Sequence, residues 1–189
     1  TLKSGRNSPY FFNAAKMLNT KFLADLSECY TKTLQDLNVS FDSIYGPAYK
    51  GIFLASIIGA SLGKSDLDIP VSFNRKEEKD HGEGGDLIGQ PPSGNVLIID
   101  DVISAGTAAR ESIEKIKSIG ANPKIMLVGL DRQEKGVSNM SAKDELENDF
   151  ELTVSSIVDL DLLISFVSDD PNFKEFKSDL EEYRNNWGA

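Results

Sequence analysis

The stretch that most constrains the fold of this chain runs from Val96 to Ser112 and has the sequence VLIIDDVISAGTAARES. Its first four residues, Val96 to Ile99, are all apolar, which is typical of a strand buried on both faces of a parallel sheet. Asp100 and Asp101 follow at once, and paired charges there predict that the strand ends and the chain reaches the surface. Small residues then lead into a helical pattern that stops at Gly120. The predicted order is therefore strand, paired acids, small loop and helix.

This order of elements suits a phosphorylated sugar. A loop of small residues leading into a helix offers backbone N–H groups at the positive end of the helix dipole, where a phosphate dianion binds. The hydroxyls of Ser104 and Thr107 add donors, and the carboxylates of Asp100 and Asp101 are good acceptors for vicinal hydroxyls. Each feature alone would only end a strand or cap a helix. Their combination in one run predicts a ribose 5-phosphate site.

The same run resembles the motif that binds phosphoribosyl pyrophosphate (PRPP) in the type I phosphoribosyltransferases, in which apolar residues, two acids and a small Ser/Thr/Gly loop follow one another. The resemblance implies PRPP contacts along the segment and a catalytic role for Asp101. The PRPP-binding residues that it implies here are Asp100, Asp101, Val102, Ile103, Ser104, Ala105, Gly106, Thr107 and Ala108. The motif alone specifies neither the base nor catalysis, because some regulators keep the fold and the motif.

The net charge excludes some classes of partner. Twenty Lys and Arg against 30 Asp and Glu give a formal charge of −10. So acidic a chain is not expected to bind nucleic acid or an anionic membrane surface. An acidic protein that binds a polyanionic substrate must also concentrate its cations locally or use a metal ion.

Length and cysteine content predict one domain in a reducing compartment. A chain of 189 residues is expected to form a single domain with one core. Its one cysteine, Cys29, can form no internal disulfide and is predicted to be buried in a helix. We see no signal peptide or membrane span, so a cytoplasmic location is expected. Because the chain begins at Thr1 inside a motif, a preceding N-terminal segment is expected.

The first thirteen residues, TLKSGRNSPYFFN, combine cations with an aromatic cluster. If Phe11 and Phe12 lie on a strand, they point to opposite faces, so that one enters a core and the other meets a planar ligand. An edge strand with two core aromatics is the alternative. KSGRNSPYFFN resembles the opening motif of the orotate phosphoribosyltransferases, which implies PRPP binding by Lys3 and orotate binding by Phe11 and Phe12.

A second small-residue junction, GPAYKG, spans Gly46 to Gly51 between a predicted strand and a predicted helix. The positive end of the helix dipole disfavours a lysine at that position. The presence of Lys50 there therefore favours a functional role over a lysine that is merely solvated. The segment resembles the loop that cradles pyrophosphate in the same family. The resemblance implies PRPP binding by Tyr49 and Lys50.

Residues 74–86, NRKEEKDHGEGGD, follow a predicted strand over 69–73 and are predicted to form an exposed, mobile loop. A charge run of this kind is otherwise simply solvated. The segment resembles the flexible loop of orotate phosphoribosyltransferases that closes over the active site of the neighbouring subunit, and this implies a homodimer. It implies PRPP binding by Arg75, Lys76, Lys79 and His81, with Lys79 also catalytic.

The apolar strand predicted over 124–130 ends at Asp131 and Arg132. An arginine on the same sheet rim as Asp100 is placed to bind a planar carboxylate through a bidentate pair. The alternative is a surface arginine paired with Asp131. LDRQEKG resembles the segment that holds orotate, so Arg132, together with Ser104, is implied as an orotate ligand.

Alternating strands and helices predict an α/β fold with a mainly parallel central sheet, helices on both faces and a site at the carboxyl ends of the strands. The family resemblance adds a small hood, built from the N-terminal region and part of the C-terminal region of a single phosphoribosyltransferase domain over 1–189. It implies transfer of phosphoribose from PRPP to orotate, with Mg²⁺ arriving on PRPP and few direct protein ligands. A purine or uracil phosphoribosyltransferase and a noncatalytic PRPP sensor are the alternatives.

Overall fold

Strands and helices alternate along the chain, as the sequence predicted. The computed structural model describes residues 1–2, 5–65, 67–79 and 85–189, and it describes their side chains except at 77–79. The strands are β1 (Ser43–Gly46), β2 (Val71–Lys79), β3 (Gly85–Gly89), β4 (Asn95–Ile103), β5 (Asn122–Asp131) and β6 (Thr153–Asp159). The helices are α1 (Thr20–Leu37), α2 (Lys50–Gly63), α3 (Thr107–Ser118), α4 (Ala142–Phe150), α5 (Leu160–Asp169) and α6 (Lys177–Trp187), with 3₁₀ turns at Ala14–Met17 and Lys174–Phe176.

The strands form one sheet in the order β3-β2-β1-β4-β5-β6. Every neighbouring pair is parallel except β2 and β3. The order reverses between β1 and β4, and in open parallel sheets ligands bind at such a reversal, beyond the carboxyl ends of the strands. The predicted fold class is confirmed, and the reversal lies where the two small-residue loops leave the sheet.

Strand β4 lies at the centre of the core. Val96 and Ile98 pack into a cluster with α3 and α4, whereas Leu97 and Ile99 pack into a cluster on the other face with α1 and α2. All four side chains are fully buried. The continuous apolar run therefore reflects a strand covered by helices on both faces, as its composition predicted.

A third apolar cluster joins the two ends of the chain. Leu160 and Val167 of α5 pack against Leu180 and Tyr183 of α6, and Tyr10 of the N-terminal segment packs against the same cluster. The Tyr10 and Tyr183 rings meet edge to face with their centroids 6.0 Å apart. This layer, which we call the hood, lies beside the end of β5.

The interpretation of 74–86 as a loop is wrong for much of its length. Residues 74–79 continue β2, and β3 starts at Gly85, with Asn74 opposite Leu87 and Lys79 opposite Gly85. The charged side chains gave no apolar pattern from which a strand could be predicted. A hairpin at a sheet edge is stabilised by its backbone pairing, and charged residues are common there. His81 lies outside the described residues.

A smaller expectation also fails. Cys29 is exposed rather than buried, because the inward side of α1 carries Tyr30 and Leu34. The C-terminal helix α6 begins at Lys177, after turns and a short 3₁₀ segment. In the described part of the chain, no helix combines the length and the apolar character needed to cross a membrane.

Candidate functional site

The paired acids lie inside β4 and not after it, which corrects the predicted strand end. The ladder with β5 continues through Asp100 opposite Val128 and Ile103 opposite Asp131, whereas the ladder with β1 stops at Ile98. The longer neighbour β5 keeps the backbone of β4 paired on one side. On the other side β4 extends past β1, and this overhang brings the acids to the strand reversal.

Asp101 is the acid that the loop between β1 and α2 reaches. Its side chain is 7% exposed, and the ammonium group of Lys50, at the start of α2, donates a hydrogen bond to its Oδ2 atom. The approach depends on small residues, because a Cβ atom at Gly51 would lie 2.8 Å from the carbonyl oxygen of Ile99 in β4. The structure thus brings together Lys50 and Asp101, which the sequence assigned separately.

Asp100 lies in a different electrostatic setting from its neighbour. Its Oδ1 atom accepts a hydrogen bond of 2.8 Å from the backbone N–H of Asp101, and its carbonyl oxygen accepts one of 2.8 Å from the hydroxyl of Tyr30. Burial, reinforced by the charge of Asp101, raises the pKa of Asp100 to about 7, although Lys50 acts in the opposite direction. Near neutral pH this group therefore exchanges between acid and carboxylate.

This raised pKa predicts a specific pH dependence of stability. Because the folded state holds the Asp100 proton more tightly than the unfolded state, the stabilisation is complete below about pH 4 and is lost as the pH rises through about 7. We expect the free energy of unfolding of the wild type, relative to Asp100→Asn, to fall by roughly 2 kcal/mol between about pH 5 and 8. Urea unfolding at both pH values measures the difference. Asp25→Asn, which removes an exposed carboxylate of α1, is the control, and parallel pH curves for wild type and Asp100→Asn would contradict the prediction.

The small loop after β4 ends in a helix start with open backbone donors. Gly106 precedes α3 with φ 82°, a left-handed conformation that favours glycine. Among the described residues no side chain caps this helix, and Thr107 and Ala108 in its first turn are exposed. The first N–H groups of α3 therefore have no side-chain partner within the described residues, and anion binding there stays a prediction.

Arg132 is not the surface arginine that the alternative reading supposed. It is 2% exposed, and its Nε atom donates to Glu134 Oε1 at 2.6 Å, so its partner is Glu134 and not Asp131. Its Nη2 atom donates to the hydroxyls of Ser8 at 2.7 Å and Tyr183 at 3.1 Å. Of the three nitrogens, only Nη1 makes no hydrogen bond within the described residues. The bidentate pairing predicted from the sequence would therefore have to displace Ser8 or Tyr183.

Glu134 is the functional candidate that the sequence did not reveal. Its carboxylate accepts hydrogen bonds from Arg132, Arg6, Ser104 and Tyr183, at distances from 2.6 to 2.8 Å. Burial alone would raise the pKa of Glu134, but the bonds from Tyr183, Arg132 and Ser104 lower it below its usual value, so the group is ionised. In the sequence, the only local indication of this role is that Glu134 follows two residues after Arg132. Its partner Arg6 lies 128 residues before Glu134.

The two N-terminal phenylalanines have different environments although their segment is irregular and not a strand. Phe11 is 71% exposed, whereas Phe12 is partly buried. A Cβ atom at Gly129 of β5 would lie 3.3 Å from the Phe12 ring and 3.0 Å from the carbonyl oxygen of Asp101. The structure therefore places the Phe12 ring near the backbone of the acid pair and leaves Phe11 in solvent.

The β2–β3 hairpin contacts the loop between β1 and α2 at its base. Asn74 Oδ1 accepts a hydrogen bond of 2.6 Å from the N–H of Ala48, and the Lys76 ammonium lies 5.0 Å from the centroid of the Tyr49 ring. Two predicted PRPP residues, Tyr49 and Lys76, are thereby brought together. Lys3 lies outside the described residues, and Lys79 is described in its backbone alone.

Comparisons with known proteins agree with this geometry. The family model described as a phosphoribosyl transferase domain matches residues 15–159. An orotate phosphoribosyltransferase of Pseudomonas putida is 48% identical over 189 residues, which cover 100% of this chain and 89% of that protein. One from Marinobacter nauticus is 46% identical with the same coverage.

Solved structures show the same relationship. The crystal structure of orotate phosphoribosyltransferase from Francisella tularensis superimposes with a TM-score of 0.80 at 36% identity, covering 100% of this chain and 91% of that one. UMP synthase of Leishmania donovani gives a TM-score of 0.80 at 27% identity, covering 99% of this chain and 38% of that one. Identity of 46% and 48% over the whole of this chain, together with the shared fold, means that it belongs to the orotate phosphoribosyltransferase family.

Proposed function

We propose that this protein transfers the 5-phosphoribosyl group of PRPP to orotate, giving orotidine 5′-monophosphate and pyrophosphate in pyrimidine (UMP) biosynthesis. The observation that carries the proposal is the position of a buried, net positive cluster beside a ribose-phosphate cradle. Arg6 and Arg132 share the single carboxylate of Glu134, and the same carboxylate bonds Ser104 of the cradle. Within this hydrogen-bonded cluster two guanidinium groups share one carboxylate, and such an arrangement suits an anionic base.

The base is held by Arg132 and an aromatic surface. Nη1 of Arg132 keeps two N–H donors for the carboxylate of orotate, while Nε and Nη2 are held by protein groups. Phe12, beside Gly129, offers a ring on which the planar base can stack. Ser104 and Phe11 complete the proposed orotate ligands.

Displacement at the anomeric carbon passes through an oxocarbenium-like state, so positive charge grows on the ribose while negative charge grows on pyrophosphate. Asp100 and Asp101 accept the ribose hydroxyls and stabilise the positive charge. Lys50 bonds Asp101 in the free protein, and a bound pyrophosphate competes for that ammonium group. Movement of Lys50 towards pyrophosphate would leave the Asp101 carboxylate free to face the sugar.

The phosphate and pyrophosphate ends are assigned to the two small loops and the hairpin. The 5′-phosphate binds at residues 102–108, where the first N–H groups of α3 are open. Pyrophosphate binds at Tyr49 and Lys50, and we assign Lys3, Arg75, Lys76, Lys79 and His81 to the same end of PRPP. Orotate carries its own negative charge, so no strong general base is required, and Lys79 serves to stabilise the leaving group.

The donor set fits a metal ion that arrives with the substrate. The described residues contain no group of three or more His, Cys, Asp or Glu side chains that could hold one. Mg²⁺ keeps several waters and prefers phosphate oxygens, so one or two carboxylates are enough. Asp100 and Asp101 would hold Mg²⁺ together with PRPP, where it neutralises charge on the pyrophosphate.

We also propose a cytoplasmic homodimer in which the hairpin over 74–86 closes on the neighbouring subunit. The hairpin occupies an edge of the sheet, from which it can extend beyond its own subunit. The base of the hairpin contacts the Tyr49 loop of its own chain. The alternative is therefore that each hairpin closes over the site of its own subunit. The sole cysteine leaves the fold independent of disulfides, which suits a reducing compartment.

One assay tests the proposed reaction against its rivals. Purified protein with PRPP and Mg²⁺ is expected to release pyrophosphate when orotate is added, and not when uracil or adenine replaces it. Release with uracil or adenine alone would indicate another phosphoribosyltransferase. PRPP binding without release on addition of any base would indicate a sensor and overturn the proposal.

A further inference from the structure

The carboxylate of Glu134 lies where three separate parts of the chain meet. Arg6 belongs to the N-terminal segment, Ser104 to the loop before α3, and Tyr183 to helix α6. The Glu134 side chain is fully buried. A buried carboxylate is tolerated only when its charge and its lone pairs are satisfied, and this one has partners from all three parts.

The hydrogen bonds divide between the two carboxylate oxygens. Oε1 accepts from Arg132 Nε and from the Tyr183 hydroxyl, both at 2.6 Å. Oε2 accepts from Arg6 Nη1 at 2.7 Å and from Ser104 Oγ at 2.8 Å. With two donors on each oxygen, Glu134 has little capacity left for a ligand. It can act on the substrates only through the groups that it holds.

The same bonds fix what Arg132 and Ser104 present to a ligand. Arg132 is held at Nε by Glu134, and its guanidinium carbon lies 4.0 Å from the centroid of the Tyr10 ring and 5.3 Å from that of Tyr183. Nη1 is the edge of the guanidinium that makes no hydrogen bond within the described residues. The proton of the Ser104 hydroxyl is used on Glu134, so towards a ligand this hydroxyl can only accept.

Glu134 also sets the charge of the cluster. Arg6 and Arg132 contribute two positive charges and Glu134 one negative charge, which leaves a net charge of one. That excess matches one carboxylate on the base. Removing the Glu134 charge would raise the net positive charge of the cluster to two and would also release Arg132 from its anchor. A second substitution, at Arg6, then varies the charge without restoring the anchor.

We propose that Glu134 is the positioning residue through which the base site selects a carboxylate-bearing base, because it fixes the guanidinium of Arg132 and the Ser104 hydroxyl with one carboxylate. The proposal rests on the proposed function. It differs from a merely structural role, in which Glu134 would only tie the hood to the sheet.

Glu134→Gln separates these roles when orotate is compared with methyl orotate, the neutral ester of the same ring. We expect KM for orotate to rise roughly 10- to 100-fold, because the anchored donor geometry is lost, while Ki for methyl orotate changes less than about threefold. The double variant Arg6→Met/Glu134→Gln restores the net charge of one without restoring the anchor. It should stay as impaired for orotate as the single variant.

With an active wild-type protein, two results would overturn the proposal. If the single variant binds orotate as well as the wild type or better, and the double variant matches the wild type, then charge and not position governs selectivity. If KM for PRPP, Ki for methyl orotate and KM for orotate all rise together, the role is structural. A wild-type protein inactive with orotate would overturn the proposed function itself, and the selectivity proposal with it.

A milder variant and a matched control keep the test informative if Glu134→Gln folds poorly. Tyr183→Phe removes one donor to Oε1 and one acceptor for Arg132 Nη2, so a smaller rise in KM for orotate is expected in the same direction. Glu145→Gln alters another buried carboxylate that is bonded to Arg110 and to the N–H of Val137. It should cost stability without changing the preference for orotate over methyl orotate, and an equal change in that preference would contradict the proposal.

Discussion

Replacement of Asp101 by asparagine is expected to lower kcat/KM for PRPP by roughly 10²- to 10³-fold at neutral pH. The Asp101 side chain is 7% exposed, so in the proposed mechanism its charge would act on the ribose through little water. Asparagine has nearly the same shape but lacks the negative charge that stabilises an oxocarbenium-like state. It also leaves the Lys50 ammonium without its carboxylate partner. Steady-state kinetics with PRPP varied at saturating orotate measure the loss.

A double-mutant cycle with Lys50→Met separates the two contributions. If Asp101 acts on the sugar directly, the double variant should be clearly slower than Lys50→Met alone. If Asp101 serves only to hold Lys50, the double variant and Lys50→Met should have the same kcat/KM. An Asp101→Asn enzyme within about threefold of the wild type would remove Asp101 from the proposed mechanism.

The central part of the site could be predicted from the sequence because its signals are local. Val96 to Ile99 are apolar at consecutive positions, and only a strand covered on both faces buries all four. The acids and the small loop follow within ten residues, so their spatial proximity needs no long-range information. Parallel strands share one edge for their carboxyl ends, which brought Lys50 to Asp101 as well.

The surroundings of Arg132 could not be predicted in the same way. Its position at the end of β5 followed from the apolar pattern, but its partners come from distant parts of the chain: Ser8 lies 124 residues earlier and Tyr183 lies 51 residues later. The periodicity of apolar residues along the sequence does not indicate contacts between such distant residues. The position of Arg132 could therefore be predicted, whereas its burial and its bonds to Glu134, Ser8 and Tyr183 could not, and its role as an orotate ligand stays a prediction.

The hairpin was missed for a different reason. Prediction of a strand relies on alternation between an apolar face and a polar face, and residues 74–79 lack it. At the two ends of this stretch Asn74 pairs with Leu87 and Lys79 with Gly85, with a register shift between them, and charged side chains are common at such a sheet edge. Three of these charged residues, Arg75, Lys76 and Lys79, are cations of the kind that an acidic protein would need near a polyanion.

Lys79→Ala is expected to lower kcat by roughly 10²- to 10³-fold while the Kd for PRPP changes much less. Leaving-group charge develops in the transition state, so a cation delivered by a closing hairpin contributes more there than in the ground state. Single-turnover kinetics and equilibrium binding of PRPP separate the two quantities. Lys64→Ala, which removes an exposed lysine after α2, is the control. Unchanged turnover in Lys79→Ala would remove the hairpin's chemical role.

Hybrid dimers decide whose site Lys79 serves. A dimer with one Lys79→Ala chain and one Asp101→Asn chain, purified through two different tags, combines two inactive partners. If each hairpin acts on the neighbouring subunit, one site receives both defects and the other receives none, so activity should return to about half that of the wild type. If each hairpin closes on its own subunit, both sites remain damaged and the hybrid should be as slow as either parent. The second outcome would agree with the contact of Lys76 with Tyr49 in the same chain and would overturn the exchange of hairpins between subunits.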